Sequence, residues 1–288
     1  MPIEINKLSY SYKKGTPFEK QVLKDISLFI SDGEFVGIIG PTQAGKTTLA
    51  QHFNALLIPG KGSVVVNNMN TADKKADLVK LRHNVGYVFQ NPDYQLFAPT
   101  VGEDIAFGPR NQHLPAGEIE NRVVEAMNQV GLDYDTFYKR DIFALSGGQK
   151  RRAAIAGVLA CKPQIMILDD VTAGLDPGGR EEIIKVIQKL HIEKEITTIY
   201  ISNSMDEVAV LANRIIVLDQ GQVLYDDQTR DVFLHAHKLI EIGLELPEVM
   251  GITTRLAEAG FDLPGAVLSI EEAVDAIAAN LQQGQVRD

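Results

Sequence analysis

Gly40-Pro41-Thr42-Gln43-Ala44-Gly45-Lys46-Thr47 fits the pattern G-x-x-x-x-G-K-[ST]. The chemistry open to that spacing is capture of a nucleotide's phosphates. Backbone N–H groups of such a loop, with the positive end of the helix after it, surround an anion. Lys46 can reach the outer phosphates, and the Thr47 hydroxyl can ligate Mg²⁺. Thr48, which opens the helix, completes the candidate binding set. A second candidate is Leu145-Ser146-Gly147-Gly148-Gln149, ahead of Lys150-Arg151-Arg152 and an Ala-rich run. Alone it reads as a helix start, with Ser146 as N-cap and Gln149 closing a capping box. A third is Ile165-Met166-Ile167-Leu168-Asp169, an apolar strand ending in a carboxylate.

These groups need elements to hold them. Phe35 to Ile39 is a continuous apolar run, the pattern of a strand buried on both faces. It feeds the loop directly, and Thr48 to Leu57 follows as a helix with Leu49, Phe53, Leu56 and Leu57 on its apolar face. Strand, loop and helix agree, which counts against a bare glycine turn with a solvated lysine. Ile165 to Leu168 and Thr198 to Ile201 read as further buried strands, with a helix over Arg180 to Leu190 between them. That alternation predicts a parallel sheet covered by helices. The first stretch, with Ile3, Ile5 and Leu8 ahead of Tyr10 and Tyr12, reads as short strands with turns, Val22 to Ile30 as a half-buried strand, and Ile215 to Leu218 with Val223 to Tyr225 as a hairpin. Asn111 to Tyr138 reads as helical. Beyond Thr229, Asp231 to Ile242, Glu248 to Ala259 and Ile270 to Leu281 read as short helices, the last opened by a Ser269/Glu272 capping box.

The bulk properties set limits. The 288 residues carry a formal charge of -10 and 45% hydrophobic residues, enough for a sizeable core. The acidic balance argues against a nucleic-acid partner, which would draw on Lys/Arg clusters. The single cysteine, Cys161, excludes an internal disulfide, fits a reducing compartment, and reads as a small buried residue. Met1-Pro2-Ile3-Glu4 does not have the form of a signal peptide. The apolar runs are too short to span a bilayer, so work at a membrane would be done from its surface through partners.

The phosphate loop, the Ser146 pentapeptide and the strand ending at Asp169 together resemble the ATP-binding-cassette (ABC) ATPases, from about Ile3 to about Tyr225. The resemblance implies an α/β P-loop cassette: a parallel-sheet core, an antiparallel β subdomain and a helical subdomain at about 91–160. That unit would span 1–228, and a small C-terminal helical appendix would span 229–288. By the same resemblance, Ser146, Gly147, Gly148 and Gln149 are the signature that completes a partner's site. Gln90 is the glutamine that senses metal and γ-phosphate, Asp169 holds Mg²⁺, and Asp176 belongs to the D-loop. Tyr12, or else Tyr10, would stack on adenine; a core tyrosine is the alternative at either position. Two cassettes would close head to tail around two ATP molecules.

Asn91-Pro92-Asp93-Tyr94-Gln95-Leu96-Phe97 with Phe107-Gly108-Pro109 resembles the ATPase subunits of energy-coupling-factor (ECF) importers of vitamins or metals. That implies a second homologous ATPase in a hetero-dimer, a transmembrane coupling subunit docked near Gln95 to Phe97, and a separate substrate-binding membrane subunit. It also implies a peripheral position on the cytoplasmic face of the membrane. Leu96 and Phe97 could instead be plain core residues. The chain departs from the family in three places that serve its own loop. Asp170 stands where a catalytic glutamate is usual, and Asn203 where a switch histidine is usual. Asp170 is one methylene shorter, and asparagine cannot carry histidine's positive charge. Gln43-Ala44 also replaces a usual Gly-Ser pair. The expectation is a weakened own site beside a faster partner site. The alternatives are that both sites turn over, or that the chain is a non-hydrolytic ATP-binding regulatory half. Soluble ABC proteins of DNA repair or translation fit less well, because neither a tandem cassette nor a coiled-coil insertion is present.

Overall fold

The structure is a computed structural model, and it describes residues 1–285. Strands β1 (Ile3–Tyr12) and β2 (Lys20–Ile30) lead into β3 (Phe35–Ile39) and helix α1 (Lys46–Phe53). Next come β4 (Lys61–Val66), β5 (Met69–Asn70), α2 (Leu78–Asn84) and β6 (Val85–Val88). Helices α3 (Val101–Asn111), α4 (Ala116–Gln129), α5 (Tyr134–Phe137) and α6 (Gly147–Leu159) follow. The chain then runs through β7 (Ile165–Asp169), α7 (Pro177–Lys194), β8 (Thr197–Ile201), α8 (Met205–Leu211), β9 (Arg214–Asp219) and β10 (Gln222–Gln228). It finishes with α9 (Thr229–Leu234), α10 (Ala236–Glu241), α11 (Glu248–Glu258) and α12 (Ile270–Gln285).

Two sheets form. One is four-stranded and antiparallel, in the order β2-β1-β4-β5; the other has six strands in the order β10-β9-β3-β8-β7-β6. In the larger sheet β9, β3, β8, β7 and β6 are parallel, and β10 closes the edge as the antiparallel arm of the expected hairpin. Side-chain alternation divides the core. Ile165, Ile167, Ile199, Ile201, Ile216 and Leu218 face the small sheet and α1. Met166, Leu168, Tyr200, Ile215 and Val217 face the helices on the other side. Because the central strands are buried on both faces, they read as uninterrupted apolar runs rather than as alternation.

The helical readings need four corrections. The helix expected over Thr48 to Leu57 ends at Phe53: Asn54 is its C-cap, Ala55 turns left-handed at φ 54, and Leu56 is exposed rather than on an apolar face. The stretch from Asn111 to Tyr138, expected to be helical, is not helical throughout. Helix α3 ends at Asn111, Pro115 caps α4, and Gly131, at φ 71, turns the chain after α4. Proline at that cap lacks the N–H that a continuous helix would need. In the tail, Asp231 to Ile242 is two helices meeting at His235. The expected Ser269/Glu272 capping box is half formed. Ser269 Oγ accepts from Glu272 N at 3.1 Å, but the Glu272 carboxylate takes Leu268 N at 3.0 Å and pairs with Arg230.

A corner between the sheets supports the phosphate loop. Gly221, in the β9–β10 turn, donates its N–H to Ala44 O at 3.1 Å, and its carbonyl accepts from Lys24 N at 2.8 Å. Its φ is 81, and a Cβ there would lie 2.1 Å from Val22 O. Only glycine fits both the left-handed backbone and the close approach. Gly221→Ala should therefore lower unfolding stability by about 1–3 kcal/mol and weaken ATP binding with it. Gly117→Ala, where a Cβ meets nothing within 4 Å, should leave both intact. Thermal melting and equilibrium binding of the two variants check this.

Candidate functional site

The site grows from the carboxyl ends of four neighbouring parallel strands. Strand β3 ends in the loop. Gly40 has φ 152 and a virtual Cβ 2.2 Å from Leu218 O; Gly45 has φ 108 and a virtual Cβ 2.8 Å from Leu23 Cδ2. Both positions of the motif thus require glycine for steric reasons. Gln43, at φ 69, adopts the same left-handed turn without being glycine. Ala44 N donates to Pro41 O at 3.0 Å, and Leu49 N to Gly45 O at 2.8 Å, so loop and helix are continuous. Lys46 Nζ donates to the carbonyls of Gly40 at 2.6 Å and Pro41 at 3.2 Å, folding over the loop. Burial pushes the Lys46 pKa down, opposed by the carboxylates of Asp170 and Asp169. A buried cation of this kind gains from an anion placed beside it.

Gln43 to Thr48 line a cleft of about 270 Å³ together with Tyr12, Lys20 and Val22. Gly40, Pro41 and Thr42 form the first half of the loop, outside that lining. Tyr12, 38% exposed, hydrogen-bonds Thr48 Oγ1 at 3.2 Å and presents a ring at the cleft's rim. Tyr10 packs edge-on against both Tyr12 and His52. Of the two tyrosines, only Tyr12 lines the cleft. Lys20, absent from the sequence-based set, donates to Gln43 Oε1 at 3.0 Å across the opening.

Strand β7 delivers two carboxylates with different surroundings. Asp169 is buried; Oδ1 accepts from Thr47 Oγ1 at 3.3 Å, and Oδ2 accepts from Tyr87 OH at 2.6 Å. Burial raises the Asp169 pKa, and the Tyr87 and Thr47 hydroxyls hold it back. A hydroxyl oxygen beside a carboxylate is the hard oxygen donor set that suits Mg²⁺, so these residues fit that ion. Asp170 has φ 50, a left-handed conformation that a short polar side chain tolerates. Its Oδ2 accepts from Gln90 Nε2 at 3.0 Å and from Asn203 Nδ2 at 3.2 Å. Gln90, expected near the metal, thus touches Asp170 rather than Thr47 or Asp169.

The signature residues lie elsewhere. Ser146 caps α6 with both bonds of the capping box: Gln149 N to Ser146 Oγ at 3.3 Å and Ser146 N to Gln149 Oε1 at 3.1 Å. Together with Gly174 to Asp176 they line a separate cleft of about 530 Å³. A Cβ added to Gly147, Gly148 or Gly174 would meet nothing within 4 Å. Gly174, at φ 76, is required by its left-handed backbone, but nothing inside this chain requires Gly147 or Gly148. They leave the helix N-terminus open to close approach from outside.

Several contacts around the site could not be read from local sequence. Arg151 Nη1 donates to Phe89 O at 2.9 Å, and Gln95 joins Phe89 N at 3.2 Å to Ala154 O at 2.8 Å. These bonds tie the segment carrying Gln90 to α6. Leu96 is buried, whereas Phe97 is 58% exposed and packs edge-on against Phe107. The core reading therefore holds for Leu96 alone. Cys161 is half-buried, and burial pushes its thiol pKa up. Among the described residues no helix is long and apolar enough to cross a membrane.

Residues 23–173 match the family described as ABC transporter. The energy-coupling factor transporter ATP-binding protein EcfA2 of Clostridioides difficile (strain 630) is 48% identical over 95% of this chain and 95% of that one. The EcfA1 protein of Caldanaerobacter subterraneus subsp. tengcongensis is 46% identical over 96% of this chain and 98% of its own. The solved structure of cbiO1 from Clostridium perfringens, described as part of the ABC transporter complex cbiONQ, superposes with TM-score 0.74. It is 35% identical and covers 89% of this chain and 98% of that one. The dimeric bacterial ABC transporter cassette MJ0796 superposes with TM-score 0.71 at 30% identity, covering 79% of this chain and 99% of the cassette. With its phosphate loop, its strand-end carboxylates and its near full-length likeness to these proteins, the chain belongs to the ABC transporter family as an ATP-binding, ATP-hydrolysing cassette of the energy-coupling factor type.

Proposed function

We propose that this chain energises an ECF-type importer of a vitamin or metal micronutrient from the cytoplasmic face of the membrane, and that its own catalytic site is the weaker of two. Residues 1–228 act as the nucleotide-binding unit, and residues 229–288 contact the counterpart appendix of a second, homologous ATPase. The transmembrane coupling subunit docks beside Gln95 to Phe97, where exposed Phe97 and Phe107 offer an apolar foothold. A separate membrane subunit selects the cargo. The separation of the two clefts favours head-to-tail pairing: the phosphate loop and Ser146 to Gln149 of one chain do not face the same space.

The observation that carries the catalytic reading is the convergence of Gln90 and Asn203 on Asp170 Oδ2. Lys46 and the loop amides hold the phosphates, Tyr12 supports the base, and Asp170 orients the attacking water and accepts its proton. Thr47 and Asp169 would hold Mg²⁺, which when bound neutralises charge on the phosphate oxygens. The Asp170 carboxylate stands back by about 1 Å from the reach of a glutamate, a displacement that can lower rate by up to about 10²-fold. Asn203 can hold Asp170 by a hydrogen bond but supplies no cationic charge at the γ-phosphate. The signature is intact, so this chain completes the partner's faster site.

Two outcomes follow. Lys46→Ala should weaken ATP binding by roughly 10- to 100-fold, the range for losing a charge-assisted contact; equilibrium titration of a fluorescent ATP analogue measures it. Asp170→Glu combined with Asn203→His should raise ATP turnover of the assembled transporter, and unchanged turnover would count against a weakened site.

A further inference from the structure

One buried carboxylate outside this set gathers the segments on which the set depends. Glu207, in α8, is 4% exposed. Its Oε2 accepts three hydroxyls: Tyr200 OH at 2.7 Å, Thr172 Oγ1 at 2.8 Å and Ser202 Oγ at 3.0 Å. Its Oε1 lies 3.4 Å from Arg180 Nε, an ion pair without hydrogen-bond geometry. A buried carboxylate is tolerated where hydrogen-bond donors replace its lost hydration, and here three hydroxyls do so. A function in placement accounts for retaining the charge, and the donors show what is placed.

Thr172 is two residues beyond Asp170, in the turn where Ala173 N donates to Asp170 O at 3.1 Å. Ser202 directly precedes Asn203, and its Oγ also accepts from Ser204 N at 3.0 Å, closing the loop around Asn203. Asp170 N donates to Ile201 O at 2.8 Å, joining the two segments through the backbone. Arg180 lies in the first turn of α7, where its N–H donates to Asp176 O at 2.9 Å. One side chain therefore holds the turn of Asp170, the loop of Asn203 and the start of the helix behind Asp176.

We propose that Glu207 is a positioning residue for ATP hydrolysis, which sets the Asp170–Asn203 contact and links it to the Asp176 turn. The proposal rests on the roles given above to Asp170 and Asn203. Its test uses the assembled transporter with the partner ATPase's phosphate-loop lysine disabled, so that turnover reports this chain's own site, and with Glu207→Ala, Glu207→Gln and Ser202→Ala in this chain, and Ser202→Ala added to Asn203→Ala. Turnover, affinity for a fluorescent ATP analogue and backbone hydrogen exchange are measured for each.

Glu207→Ala should lower kcat by up to about 10²-fold, leave nucleotide affinity unchanged, and speed exchange only over 171–176 and 202–204. Glu207→Gln, whose amide oxygen can keep the hydroxyl donors while losing the Arg180 pair, should fall less. Ser202→Ala should lower kcat in the native chain but not further in Asn203→Ala, because it acts through that residue. Native turnover of Glu207→Ala, additive losses in the double variant, or affinity falling with turnover while exchange rises throughout the sheet would each overturn the proposal. Native turnover of Asn203→Ala alone would remove the underlying reading, and this inference with it.

Discussion

The carboxyl edge of the six-stranded sheet is the constraint on which the site depends. Parallel strands point their carboxyl ends the same way, so β3, β8, β7 and β6 bring four loops to one line. Because β8 lies between β3 and β7, the loop of Asn203 is delivered between the phosphate loop and the Asp169–Asp170 pair. Gln90 arrives from β6, at the far side of that pair. The backbone bond from Asp170 N to Ile201 O and the Thr47–Asp169 contact show how closely the strand ends are joined. Both faces of these strands are apolar and packed, which leaves little freedom for one end to move alone.

Electrostatics assigns different work to two adjacent carboxylates. Asp169 is buried, bonded to hydroxyls, and bordered by Thr47, which suits the holding of a cation. Asp170 is half-buried, held in a left-handed turn, and bonded by the amides of Gln90 and Asn203. Neutral amides hold its orientation without neutralising it. A histidine in place of Asn203 could supply charge as well as orientation, and the proposed asymmetry between two sites rests on that difference.

Local motifs were legible in the sequence where geometry is local. The loop, the buried strands, the hairpin and the Ser146 cap each follow from a few consecutive residues. Helix ends are legible where a cap is decisive, as at Ser146, and not where apolar periodicity runs past a break, as at Pro115 and Gly131. Site residues contributed by contact rather than motif were not legible. Tyr87, Lys20, Arg151 and Glu207 touch residues 82, 23, 62 and up to 35 positions away, so no spacing rule announces them. Leu96 and Phe97 could not be told apart by sequence, yet one is core and the other open.

The central claim is that the phosphates settle in the Gly40 to Thr47 loop, with Mg²⁺ shared between the Thr47 hydroxyl and Asp169. Calorimetric titration of ATP into the full chain, with and without Mg²⁺, compared between the native protein and Thr47→Val, tests it directly. The account predicts that Mg²⁺ strengthens ATP binding to the native chain and that this gain vanishes in Thr47→Val while metal-free binding persists. An equal gain in both proteins would contradict it.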